Sequence, residues 1–108
     1  MPSSPPVRFV AGHHLRTRFN LGRYADRIAQ GEFTAVPARR DRHLTKATRS
    51  MPPCTLSQVV AYSNHQGQLV AVVHQYRLAD GSLGASGKPD PKYLFEDGVI
   101  YKVALPEP

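Results

Sequence analysis

The chain has 108 residues, a net charge of +6, one cysteine and no tryptophan. That length leaves room for one domain with one modest core, not two. The lone Cys54 excludes an internal disulfide framework, and the longest purely apolar run, residues 69–73, is far short of a membrane span. The first residues lack the basic-then-apolar order of a secretory signal, so the expected location is cytoplasmic, without membrane contact.

Charge divides the chain into unequal halves. Residues 1–50 carry ten Arg and Lys against three acids, a net +7, whereas residues 51–108 carry four against five, a net −1. Nine of the ten early cations are arginine, whose planar fork of donors suits phosphate. Such asymmetry points toward a polyanionic partner.

In chain order, residues 1–6 are a Pro/Ser tail with nothing to bury and are expected to be disordered. Residues 7–11 suit a short strand, ended by Gly12, His13 and His14. Leu21, Tyr24, Ala25 and Ile28 fall on one helical face, which predicts a helix over 21–30 with Asn20 as N-cap and Gly31 beyond its end. Phe33 to Val36 suit a brief strand closed by Pro37. Residues 37–55 have no period and five cations before Pro52-Pro53, the pattern of a mobile basic loop.

A hairpin follows. Residues 57–63 and 69–78 read as strands joined through Asn64-His65-Gln66-Gly67. Val70, Val72, His74, Tyr76 and Leu78 share one face of the second strand. After a Gly/Ser loop at 81–89, Asp90 resembles an N-cap and Pro91 a first helical residue, which predicts a short helix to Glu96. Residues 99–105 close the chain as a strand. The expected fold is thus α+β within residues 7–108: a small antiparallel sheet of three to five strands with one main helix packed on it and a basic loop in the middle. The expected core is Leu21, Tyr24, Ile28, Val60, Tyr62, Val70, Val72, Tyr76, Leu94, Val99, Tyr101 and Val103.

Three functions fit these residues. The first is a non-enzymatic domain contacting DNA or RNA phosphates through Arg23, Arg27, Arg39, Arg40, Arg42 and Lys46. The second is a small metal-independent ribonuclease-like toxin, with His74 moving a proton and Tyr76, Arg77, Lys88 or Lys92 stabilising charge. The third is a protein-interaction module of the phage or mobile-element type, using sheet edges and the 81–90 loop. The residues favour a binding protein over an enzyme, since no local partner fixes His74 as a triad would. Gly84-Ala-Ser-Gly87-Lys88 lacks the spacing of a P-loop, and Pro89 follows the lysine. The scattered histidines and Cys54 lack the close pairs of a metal site, so neither metal nor cofactor is expected.

Overall fold

The computed structural model describes residues 4–43, 54–83 and 89–104. Among these residues, seven strands form one sheet: β1 (Val7–Val10), β2 (Thr34–Pro37), β3 (Arg42–His43), β4 (Leu56–Ser63), β5 (Leu69–Arg77), β6 (Asp90–Glu96) and β7 (Val99–Val103). The order across the sheet is β1-β7-β6-β5-β4-β2, with the short β3 continuing along β2's side of β4. The described residues also form two helices, α1 (Gly12–Leu21) and α2 (Tyr24–Ala29).

This corrects the expected fold class. The sheet is six strands wide rather than three to five, it is mixed because β1 runs parallel to β7, and two short helices replace one main helix. The molecule is mostly β. Among the described residues, no helix is long and apolar enough to cross a membrane.

The connection from β1 to β2 explains where the core lies. Those strands sit at opposite edges, so the intervening chain must traverse the sheet. It does so as α1 and α2, and α1 packs on β6 and β7. Leu15 and Phe19, four residues apart in α1, are fully buried there. Residues 12–14 were expected to break the chain, yet they open α1: the carbonyl of Ala11 accepts the N–H groups of His14 and Leu15 at 3.0 and 3.2 Å.

The helix expected over 21–30 is interrupted at its start. Gly22 caps α1, and Arg23 takes a left-handed φ of 56° that redirects the chain into α2. Asn20 is therefore a helical residue, not an N-cap, and its carbonyl accepts the Arg23 N–H at 3.0 Å. Leu21 leaves the core and is 79% exposed, while Tyr24 stays buried. Glycine at 22 has a packing reason, since a Cβ there would collide with the Tyr24 ring.

The β4–β5 hairpin lies where the sequence puts it. The Asn64 side chain accepts the N–H groups of Gln66 and Gln68, and Gly67 supplies φ of 78°. A bulge opposite Tyr62 and Ser63 makes Val70 the extra residue, so adjacent Val70 and Ala71 are both buried. The expected helix after Asp90 is instead β6, paired to both β5 and β7. Pro91 fits a strand because it lies where the β5–β6 register shifts, a place that tolerates a missing N–H. Asp97 and Gly98, with φ of 53° and 76°, form a two-residue turn into β7.

The core gathers on the helix side of the sheet: Leu15, Phe19 and Tyr24 from the helices meet Tyr62, Val70, Ala71, Val73, Leu94 and Tyr101. Ile28, Val60, Val99 and Val103 pack partly against it. Val72 and Tyr76, expected in the core, lie on the other side and are only half-buried.

Candidate functional site

Directly paired residues on neighbouring strands project to the same side of a sheet. Leu94, paired with Ala71 and Tyr101, defines the helix-covered side. The alternate set defines the opposite side, which no described helix covers. Across it run Phe9 on β1, Lys102 on β7, Tyr93 on β6, Val72 and His74 on β5, Val59 and Ala61 on β4, and Val36 on β2. Phe9 is 65% and Val36 54% exposed. The Lys102 ammonium lies 6.0 Å from the Tyr93 ring centre. This face therefore alternates rings and cations along a shallow apolar surface.

On its central strands, toward the Leu56 end of β4, stands a polar node. The Ser57 hydroxyl on β4 lies 2.8 Å from His74 Nε2 on β5. Arg39, in the segment after β2, donates to Ser57 Oγ at 2.9 Å and to the Ser57 carbonyl at 3.2 Å. A guanidinium only donates, so Ser57 Oγ accepts from Arg39; its second lone pair can also accept the Nε2–H of His74, the tautomer in which Nδ1 keeps a free lone pair. The Tyr76 ring meets the imidazole edge to face at 4.8 Å. Asp90 pairs with His74 across β5–β6, and its carboxylate holds the Lys92 ammonium at 3.1 Å and the Arg16 guanidinium at 3.7 Å. Burial pushes the His74 pKa below its ordinary value; the Lys92 and Arg39 charges push it the same way, and Asp90 opposes them. The node is thus a neutral imidazole between two cations, suited to accept a proton beside a bound anion.

The cations expected to contact phosphate are not brought together. Arg23 pairs with Asp26, and Arg27 pairs with Glu32 while stacking over Tyr24 and Phe33. Their charge is largely answered within α2 and its exit. Arg39 and Arg42 sit by the Leu56 end of β4, whereas β4's other end, Ser63, leads to the groove that holds Arg27. Seven residue steps separate those ends, roughly 23 Å. Among the described residues, Arg39, Arg40 and Arg42 have no carboxylate within ion-pair distance. Lys46 lies outside the described residues.

Of the residues considered for RNA chemistry, His74 and Tyr76 do meet. Arg77 lies on the opposite face, where it donates to Gln58 Oε1 at 3.0 Å and to the Gly81 carbonyl at 2.8 Å. Lys88 lies outside the described residues. Lys92, considered with them, does lie beside His74, whereas Ser57 and Asp90 were missed, because each becomes a neighbour of His74 only through strand pairing. Asp90 was further hidden by a helix expectation. The alternation of Tyr93 and Phe95, and the exposed Phe9, were the available signal for a ring-bearing face.

A second recess, of about 590 Å³, lies beside α1 among His13, His14, Arg18, Leu21, Glu96 and Asp97. Its charges answer one another: Arg18 donates to Glu96 Oε1 at 2.9 Å and stacks 4.1 Å over Tyr101, and the Tyr24 hydroxyl donates to Glu96 Oε2 at 2.9 Å. Among the described residues, no group of three or more His, Cys, Asp or Glu side chains is placed to hold a metal ion. Cys54 is exposed and precedes β4. Comparison of the chain with protein-family models, with curated proteins and with solved structures finds no match.

Proposed function

We propose that the protein is a cytoplasmic nucleic-acid-binding domain that takes a single strand across its open sheet face. The observation that carries this reading is the alternation of rings and cations on that face: Phe9, Lys102, Tyr93, then His74 with Arg39 and Lys92. Bases stack on exposed rings for about 1–3 kcal/mol each whatever their sequence, and nearby cations hold the backbone. A duplex hides its bases and gains nothing from such rings. The excess of arginine in residues 1–50 steers the strand inward, while Arg23 and Arg27, already paired, contribute little beyond the general field.

The test is a fluorescence-anisotropy titration of labelled single-stranded RNA, single-stranded DNA and duplex DNA across a salt series. Micromolar binding that favours single strands and weakens steeply with salt is expected. Replacing both Phe9 and Tyr93 with alanine should weaken single-strand binding by about tenfold or more, and Arg23→Gln should change it little. Equal affinity for duplex, or indifference to the ring substitutions, would sink the reading. Absence of binding at low salt would turn attention to a protein partner for the same apolar face.

A further inference from the structure

We propose that the Arg39–Ser57–His74–Lys92 node is a phosphodiester-cleaving centre, which cuts single-stranded RNA through attack by the RNA's own 2′-hydroxyl. This centre presupposes the single-strand reading above, since a strand must first lie on the open face.

The geometry meets the needs of that reaction. Cleavage of this kind requires a base for the 2′-hydroxyl proton and fixed positive charge for the phosphorus-bound oxygens. His74 and Arg39 touch the same Ser57 hydroxyl, at 2.8 and 2.9 Å, so a base and a fixed positive charge stand on either side of one side chain, close enough to act on one phosphodiester. Lys92 stands on the neighbouring strand, beside the Asp90 that faces His74. The recesses elsewhere are weaker candidates. Beside α1 the Arg18–Glu96 pair is self-neutralised, and between β4 and β5 on the helix side Gln58 satisfies Gln75, Arg77 and Asp41 at once.

In the proposed step, His74 takes the 2′-hydroxyl proton and that oxygen attacks the adjacent phosphorus. Arg39 and Lys92 face the charge of the five-coordinate intermediate. The bond from phosphorus to the 5′-oxygen then breaks, and that oxygen leaves with the proton returned by His74. One product ends in a 2′,3′-cyclic phosphate and the other in a 5′-hydroxyl. No electrons are transferred and no co-reactant is consumed. DNA, lacking the 2′-hydroxyl, binds but stays intact.

The test uses the full chain in EDTA with end-labelled single-stranded RNA, and with 2′-O-methyl RNA and DNA of the same sequence. Binding is read by anisotropy and cutting on a denaturing gel. Expected are cyclic-phosphate ends from RNA only, and a loss of at least ~100-fold in the single-turnover cutting rate of His74→Ala, compared with wild type at protein concentrations that saturate RNA binding for each. Because His74→Ala could perturb the fold, the wild-type single-turnover rate is also followed against pH. It should rise through an ionisation below 6.5, the ordinary histidine value. The groups that would set it are Arg39, Ser57, Tyr76, Asp90 and Lys92, which surround the imidazole. RNA bound but uncut overturns the cleavage centre and leaves the binding reading standing. RNA neither bound nor cut overturns both, and cutting undiminished in His74→Ala, or a rate flat with pH, overturns the role of His74.

Discussion

His74 carries the clearest residue-scale consequence. Its folded pKa is depressed, first by burial and then by Lys92 and Arg39, so below pH 6.5 the unfolded chain binds the proton more readily than the folded one. Stability is therefore fully present above 6.5 and declines as pH falls through the folded value. Urea midpoints measured from pH 7.5 down to 5 should fall, and the dependence should flatten in His74→Gln. Tyr24 shows the opposite case. Burial, and then the hydrogen bond to Glu96, pushes its phenol up to about 12. Its contribution is complete below the unfolded value of 10 and is lost as pH rises through 12. Ultraviolet titration should show one phenol ionising near 12 that disappears in Tyr24→Phe. That variant should lose about 1 kcal/mol, since Glu96 keeps Arg18 as a partner.

At the scale of elements, local chemistry and pairing compete, and pairing decides. Asp90 and Pro91 are good opening residues for a helix, but residues 90–96 lie between two strands that both need partners, so the segment extends. The Asp97-Gly98 turn that enforces this is a hairpin signal in the sequence. Gly98→Ala should cost about 1–2 kcal/mol, because φ of 76° is unfavourable with a Cβ. The outcome is checked by thermal unfolding, and a neutral effect would mean the turn does not hold the hairpin. For α1, the spacing of Leu15 and Phe19 was the signal, masked by the glycine and histidines before it. Phe19→Ala should destabilise by about 3–5 kcal/mol, as the ring is fully buried.

For the whole molecule, one topological fact decides which face of the sheet stays open. The chain goes from one edge of the sheet to the other through two helices on a single face. One side becomes the core and the other keeps its rings and cations accessible. Leu15→Ala should lower stability without abolishing single-strand binding in the folded fraction, whereas Lys102→Gln should weaken binding and its salt dependence while leaving stability near wild type. Denaturant curves and salt-series titrations on both variants separate the two sides.

The hairpin at residues 56–77, the strand at 99–103 and burial of Tyr24, Tyr62, Val70, Leu94 and Tyr101 follow from the sequence by itself, because period, turn residues and apolar runs act over a few neighbours. His74 and Tyr76 sharing a face was equally legible, by alternation. The width and mixed direction of the sheet, the choice of strand over helix after Asp90, and the meeting of Arg39, Ser57, His74 and Asp90 were decided only by tertiary structure. Each depends on which distant strands pair and in what register, and the bulges opposite Tyr62 and beside Val73 shift that register by one residue. A one-residue shift moves side chains between faces, and no local pattern encodes it.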